Sequence, residues 1–134
     1  MDDMGKEIAL AMVGEALEHF VNHRFDKCIE LLSRAIELDP HSRRAFLSRG
    51  AAHLRLKKNQ DAIDDFNHVI DLDDKLARAY HLRGLAYHQA GNRLHALKDF
   101  KRVVEMDPEY GRAYRIDVSY RKDAGPASPA KKGN

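Results

Sequence analysis

Eight histidines and a single cysteine are the side chains of this sequence best suited to metal binding or proton transfer. His19 and His23 have a spacing that lets two imidazoles share one metal ion on a helix face. His23 falls at a predicted turn, however, and no glutamate follows in the pattern of a zinc protease. His19 and His53 fall at a helix position that Tyr87 holds in a later, similar segment, where we expect inward packing. The histidines therefore predict no metal site, and we expect no cofactor.

The sequence also lacks the common nucleophilic and phosphate-binding patterns. GxxxxGKS/T, GxGxxG and GxSxG do not occur, and the pairs Asp64-Asp65 and Asp73-Asp74 are adjacent rather than one helical turn apart. Cys28 is the only cysteine, which excludes an intrachain disulfide and is compatible with a reducing compartment such as the cytoplasm. The sequence predicts a protein that is not an enzyme.

The composition is typical of a helical protein with much exposed surface. Hydrophobic residues make up 43% and charged residues 33%, with four prolines. No segment reaches the roughly 20 apolar residues needed to cross a bilayer, so we expect no membrane partner. Only residues 111–134, with six bases and two acids, are clearly basic. Because no basic stripe with interleaved aromatic residues accompanies them, the sequence does not favour a nucleic-acid partner.

The chain contains a repeat of 34 residues. Residues 43–76 and 77–110 align without a gap and share ten identities, among them Gly50/Gly84 and Phe66/Phe100. Residues 9–42 follow the same register more loosely. Each copy holds two amphipathic helical patterns, which are separated by the turns NHRF (22–25), KKNQ (57–60) and AGNR (90–93). A period of this length, built from two antiparallel helices, indicates a solenoid of helical hairpins.

The third copy has small, aromatic, aliphatic and proline residues at a characteristic spacing, namely Tyr80, Gly84, Tyr87, Gly91, Ala96, Phe100, Val103 and Pro108. In these positions the chain resembles the tetratricopeptide repeat family over residues 9–110. The resemblance implies an all-α fold, a right-handed α-solenoid of three hairpins at 9–42, 43–76 and 77–110, preceded by a lead-in at 1–8. Residues 111–123 restart the register and predict a capping helix. Residues 124–134, rich in Pro, Gly, Ala and Lys, predict a disordered tail.

Glycine in the middle of a helix costs about 1 kcal/mol relative to alanine, so Gly84 needs a structural reason. We expect the two helices of a hairpin to cross closely there, with Gly84 opposite Ala96 and, one repeat earlier, Gly50 opposite Ala62. In the first copy Ala16 opposite Cys28 would be a wider crossing. The bulky residues Leu32, Phe66 and Phe100 are then expected to fill the space between neighbouring hairpins.

The resemblance implies that the first helices of the hairpins line a concave groove. The residues at the family's groove positions are Leu10, Val13, Leu17, Phe20, Arg44, Leu47, Ala51, Leu54, Arg78, His81, Leu85, His88, Arg112, Arg115, Ser119 and Lys122. This wall changes from apolar to basic along the chain. It predicts a protein-interaction module whose partner is a protein or peptide with apolar and acidic residues.

Two parts of this wall allow more than one interpretation. Arg44, Arg78 and Arg112 are one repeat apart, and each either binds a partner carboxylate or pairs with the aspartate five residues upstream, at 39, 73 or 107. The apolar row Leu10, Val13, Leu17 and Phe20 is ordinary interior, a docking strip for an amphipathic helix, or a homodimer contact. A third hypothesis is a nucleic-acid adaptor that uses Arg112, Arg115, Arg121, Lys122, Lys131 and Lys132.

Family members that grip the acidic C-terminus of heat-shock chaperones use lysine, asparagine and arginine at five positions. Here these positions hold Val13, Leu17, Ser48, Arg78 and Leu82. Only Arg78 fits, so we do not expect a two-carboxylate clamp of that kind.

Overall fold

All regular secondary structure in the part of the chain that the structure describes is helical. The computed structural model describes residues 2–118. Its helices are α1 (Asp2–Val21), α2 (Phe25–Leu38), α3 (Arg43–Arg55), α4 (Asn59–Leu72), α5 (Ala77–Gln89), α6 (Arg93–Met106) and α7 (Pro108–Ala113). The first six form the three predicted hairpins, and α7 follows the third hairpin. None of these seven helices is long and apolar enough to cross a membrane.

The second helix of each hairpin buries one apolar stripe. In α4 this stripe is Ala62, Ile63, Phe66 and Val69, with the spacing of one helix face. Fully burying a side chain such as Phe66 contributes about 1.5 to 3 kcal/mol. Cys28 belongs to the corresponding stripe of α2, and its burial raises the pKa of the thiol. Burial therefore keeps this cysteine in its unreactive, protonated form.

A left-handed residue ends the first helix of every hairpin. His23, Lys57 and Gly91 lie 34 residues apart and have φ angles of 61°, 61° and 87°. In each case the next amide donates to the carbonyl five residues earlier, at 2.8 to 2.9 Å, which closes the helix end. The three predicted turns are confirmed, and they share one backbone geometry although only one of them contains glycine.

The hairpins stack in chain order. Each helix contacts its neighbours in sequence. Among the first helices, α3 also contacts both α1 and α5, so that the three form one layer. The core lies between the two helices of each hairpin and between successive hairpins, and its largest fully buried side chains are Phe66, Leu32, Val13, Val69, Val103 and Cys28.

The close crossing at the glycines exists, but its partner residue differs from the prediction. A Cβ on Gly50 would lie 2.5 Å from Cε1 of Phe66, and a Cβ on Gly84 would lie 2.5 Å from Cε1 of Phe100. The aromatic ring therefore occupies the space that a side chain would take and lies in the same hairpin as the glycine, whereas the prediction assigned the contact to an alanine. The reason is that a helical side chain leans toward the N-terminus, so the ring covers the preceding turn.

The first helix starts earlier than predicted. Residues 1–8 were expected to be a lead-in, but α1 begins at Asp2. The acidic Asp3 suits the first turn of a helix, because the macrodipole is positive there. Residues 2–8 therefore extend α1 by about two turns before the repeat begins at residue 9.

The capping helix is shorter than the predicted 111–123 and begins three residues earlier. Asp107 accepts a hydrogen bond from the Tyr110 amide at 3.0 Å, and Pro108 occupies the first turn, a strong start signal. The helix ends at Ala113. Two residues later Arg115 adopts a φ of 54°, and the Ile116 amide donates to the Gly111 carbonyl at 2.9 Å. The remainder of the predicted cap, 119–123, and the predicted tail, 124–134, lie outside the described residues.

Candidate partner-binding groove

Two adjoining cavities lie on the layer formed by the first helices. One, of about 300 Å³, is lined by His81, Leu85, His88, Phe100, Tyr114, Arg115, Ile116 and Asp117. The other, of about 420 Å³, is lined by Leu54, Arg55, Leu85, His88 and Gln89. We call this surface the inner face. It brings together five of the predicted groove residues, namely Leu54, His81, Leu85, His88 and Arg115.

The N-terminal end of the predicted groove is mostly interior. Val13 is 1% exposed and packs in one cluster with Ala16 and Ala45. Its assignment to the groove was therefore wrong, because the second hairpin covers it. Leu17 and Phe20 are half-buried against the same cluster, whereas Leu10 is 58% exposed. The four residues do not form one continuous exposed strip.

Arg55 covers part of that N-terminal end. Its guanidinium lies 5.5 Å from the ring centre of Phe20 and 4.8 Å from that of Phe25, within the range of a cation–π contact. Phe20 and Phe25 in turn meet edge to face, with centroids 5.2 Å apart. Of the middle groove positions, Ala51 is half-buried and Leu47 packs against the core clusters.

The arginine row is exposed, and its members do not form the predicted ion pairs. Within residues 2–118, Arg44, Arg78 and Arg112 form no salt bridge with the aspartates five residues upstream. Asp73 instead binds the Arg43 side chain and the Lys75 amide. Asp107 caps α7 through the Tyr110 amide. Arg44 and Arg78 lie in the first turns of α3 and α5, whereas Arg112 lies in the last turn of α7.

Aromatic side chains that the sequence did not assign to the groove close its C-terminal end. A hydrogen bond of 2.9 Å joins His81 Nδ1 and the Tyr110 hydroxyl. Tyr110 and Tyr114 pack with ring centres 4.4 Å apart, and His81 lies 5.4 Å from the Tyr114 ring. Burial, with a smaller contribution from Arg78, lowers the pKa of His81. Burial and the neighbouring Tyr114 raise the pKa of Tyr110.

The residues that the sequence missed in this region could have been found only in part. Tyr114 lies in register with Tyr80, which signals an aromatic packing position. Ile116 and Asp117 reach the cavity only because the chain turns at Arg115. No sequence pattern marked that turn. Ser119 and Lys122, two further predicted groove residues, lie outside the described residues.

The structure offers no arrangement suited to a metal ion in residues 2–118, where no group of three or more His, Cys, Asp or Glu side chains comes together. His19 Nδ1 accepts a hydrogen bond from Arg24 Nε at 2.9 Å. The His23 ring stacks on Phe25, with centroids 5.6 Å apart. His53 is half-buried in the packing position that its register predicted.

The five positions of the chaperone clamp are unsuited to binding two carboxylates. Val13 is buried, Leu17 and Leu82 pack against core clusters, and Ser48 is half-buried. Arg78 is the one cation among them, and its side chain is exposed.

The repeat register, the hairpin turns and the layered packing define a tetratricopeptide repeat protein. Two family models described as Tetratricopeptide repeat match residues 13–77 and 77–110. The chain belongs to this family. A comparison with curated proteins gives no match.

Solved structures of the same fold resemble the chain over most of their length. The first TPR of Spaghetti (RPAP3), bound to the HSP90 peptide SRMEEVD, is 26% identical, with a TM-score of 0.76 over 83% of this chain and 91% of that chain. The first TPR domain of human RPAP3 has the same identity, TM-score and coverage. The Arabidopsis OM64 TPR domain is 23% identical, with a TM-score of 0.79 over 84% of this chain and 93% of its own, and shows the fold alone.

Proposed function

We propose that this protein is a non-catalytic interaction module that binds an acidic segment of a partner protein through its exposed arginine row and along its inner face. The observation that carries this proposal is the exposed arginine row. Arg44 and Arg78 lie in first turns, where the helix macrodipole disfavours a cation. Asp73 binds Arg43 and the Lys75 amide rather than Arg78, and among the described residues no salt bridge joins Arg44 to Asp39. A carboxylate from a partner would supply the missing negative charge.

Two further features support the proposal. The two cavities of the inner face adjoin through Leu85 and His88, so an extended segment can cross both. The first TPR of Spaghetti (RPAP3), which the chain resembles, is bound to the acidic peptide SRMEEVD. Because the clamp positions of this chain hold Val13, Leu17 and Leu82, we propose a different acidic sequence as its partner and expect SRMEEVD itself to bind weakly.

The test is an affinity capture with the intact chain, run in parallel with the triple variant Arg44→Ala/Arg78→Ala/Arg112→Ala. Each lost charge-assisted hydrogen bond costs about 1 to 2 kcal/mol, so partners held by the wild type should be lost from the triple variant. Arg34→Ala is the matched control, because Arg34 is an exposed arginine that pairs with Glu30 within α2. Equal capture by the wild type and the triple variant would refute the proposal.

Self-association is the second candidate function. Four apolar side chains of α1 are well exposed, namely Met4 at 70%, Ile8 at 45%, Leu10 at 58% and Val21 at 70%. Burying them against a second copy would be favourable. Light scattering over a range of protein concentrations separates the two functions, since a concentration-independent monomer mass would exclude association through α1.

A further inference from the structure

The segment after α7 folds back over α5 and closes one end of the inner face. Arg115 donates its amide to the Arg112 carbonyl at 3.1 Å and adopts a φ of 54°. This turn directs Ile116 and Asp117 toward α5. The smaller cavity is consequently bounded by three elements, which are α5, α6 and the segment 114–117.

The interior of this cavity offers apolar contacts. Leu85 and Tyr114 line it and are 37% and 56% exposed, so a side chain that entered the cavity would cover apolar surface. Phe100 and Ile116 also line the cavity and are half-buried. A volume of about 300 Å³ lies at the lower limit of small-ligand pockets. It suits one bulky side chain rather than a whole cofactor.

The rim of the two cavities taken together carries more positive than negative charge. Arg115 lines the smaller cavity directly, Arg55 lines the adjoining cavity, and Arg78 is close enough to His81 and Tyr110 to affect the pKa of both. Among the residues lining the two cavities, Asp117 is the one acid. A segment whose residues beside the apolar side chain are acidic would therefore match this rim, and a basic one would be repelled.

We propose that the cavity between α5, α6 and the segment 114–117 is an anchor pocket for a bulky apolar side chain that is flanked by acidic residues in the partner. This inference rests on the proposed function and names the sequence feature that the inner face selects. The apolar anchor supplies burial, and the flanking carboxylates meet Arg78 and Arg115. Because the pocket opens into the adjoining cavity, the partner chain continues past it toward Leu54 and Arg55.

The test is a nuclear magnetic resonance titration of the full ¹⁵N-labelled chain with three capped synthetic peptides at millimolar concentration. The first peptide is Glu-Asp-Phe-Glu-Asp, the second has alanine in place of phenylalanine, and the third has lysine in place of all four acids. We expect the first peptide to shift the amide signals of His81, Leu85 and His88. It should bind about tenfold more tightly than the alanine peptide, since burying an aromatic ring is worth at least that factor.

Two substitutions locate the effect. Leu85→Ser and Ile116→Ser should each reduce the preference for phenylalanine over alanine. Leu94→Ser is the matched control, because Leu94 is 71% exposed on α6 and lines neither cavity. It should leave the preference unchanged.

The outcomes separate the pocket from the wider proposal. Equal binding of the phenylalanine and alanine peptides on the inner face would overturn the anchor pocket and leave acidic recognition intact. Tighter binding of the lysine peptide would overturn both the pocket and the acidic partner. If no peptide shifts any inner-face signal, the anchor pocket is overturned, while the capture experiment with the arginine variants still judges the proposed function.

Discussion

Arg83 holds the carboxylate of Asp99 with two hydrogen bonds, from Nε at 2.9 Å and from Nη2 at 2.7 Å. Its remaining nitrogen, Nη1, donates to Asn67 Oδ1 at 2.8 Å. Hydrogen bonding to Asp99 raises the pKa of Arg83, and the Asp99 side chain is only 5% exposed. Because Asp99 lies on α6 and Asn67 on α4, one guanidinium joins the third hairpin to the second.

Loss of the Asp99 carboxylate should destabilise the protein strongly. Removing one partner of a buried ion pair leaves an uncompensated charge and costs about 3 to 5 kcal/mol. We therefore expect Asp99→Ala to lower the free energy of unfolding by that amount in a urea titration followed by circular dichroism. The double variant Arg83→Met/Asp99→Leu should lose much less, since it leaves neither charge unpaired.

An exposed ion pair provides the control for this prediction. Arg34 and Glu30 pair at 3.1 Å on α2, with side chains 59% and 50% exposed. Glu30→Ala should change the free energy of unfolding by at most about 0.5 kcal/mol. If Asp99→Ala costs no more than Glu30→Ala, the buried pair does not stabilise the third hairpin.

The sequence contains a signal for this pair, because Arg49/Arg83 and Asp65/Asp99 are identical positions in the two aligned copies. Arg49 and Asp65 are 16 residues apart, as are Arg83 and Asp99, and the structure repeats the contact, with Arg49 donating to Asp65 at 3.0 and 2.7 Å and to Ser33 at 3.1 Å. Opposite charges that recur together at one spacing indicate a pair. Which helices the arginine joins depends on how the helices cross, and the spacing of the residues along the chain gives no information on that crossing.

The capping helix α7 shows that the repeat register alone does not predict where a helix begins and ends. Continuing the repeat placed a helix at 111–123, because Arg112 and Tyr114 match earlier first helices. The Ser42 side chain caps α3 through the Ala45 amide at 3.1 Å, but Tyr110 holds the matching position before the predicted cap. Asp107 and Pro108 therefore start the helix first. The sequence thus offers two start points for this helix, one at Pro108 and one at residue 111, and the repeat register does not show which of them forms.

Lys57→Gly should stabilise the second hairpin. Lys57 is exposed and adopts a left-handed φ of 61°, the geometry that Gly91 adopts in the third hairpin. A side chain there costs about 1 to 2 kcal/mol, and glycine returns about 0.5 to 1 kcal/mol of that as lost backbone entropy. We expect a net gain of up to about 1 kcal/mol, measured as a higher melting temperature. Gly91→Ala is the reverse control and should lower it. A lower melting temperature for Lys57→Gly would contradict this account.

Acidification should weaken the fold through His53. Burial, the largest effect, lowers the pKa of His53 despite the nearby Asp65, whose Oδ2 lies 3.6 Å from Nε2. The unfolded chain, in which a histidine titrates near 6.5, therefore takes up a proton before the folded chain does. Stability should be level above about pH 7.5 and decline as the pH falls through 6.5 toward the lowered folded-state pKa. Burial lowers the pKa of His81 as well, so its contribution has the same sign.

The variant His53→Tyr tests whether His53 causes this loss of stability at low pH. His53→Tyr introduces the residue that the third hairpin has at the same position, Tyr87. Its free energy of unfolding should depend less on pH between 7.5 and 5.5 than that of the wild type, with the values at pH 8 as the baseline. An unchanged pH slope would remove His53 from the explanation.

The first hairpin indicates that a residue larger than glycine is tolerated at the crossing when the residue opposite is smaller than phenylalanine. Where the second hairpin has Gly50 and Phe66, the first has Ala16 and Leu32, and all four are buried. A shorter aliphatic side chain thus accompanies the added methyl group. Gly50→Ala alone should lower the free energy of unfolding by about 1 to 3 kcal/mol through overpacking, reduced by the helix propensity that alanine gains.

Combining Gly50→Ala with Phe66→Leu should restore part of that loss. A Cβ at position 50 would overlap the Phe66 ring at 2.5 Å, and shortening the ring removes the overlap. The double variant should therefore be at least about 1 kcal/mol more stable than the sum of the two single variants predicts, a coupling that a double-mutant cycle measures. Gly14→Ala is the matched control, because a Cβ there meets nothing within 4 Å, so it should stabilise α1 by up to about 1 kcal/mol. Strict additivity at positions 50 and 66 would show that the ring does not determine the need for glycine.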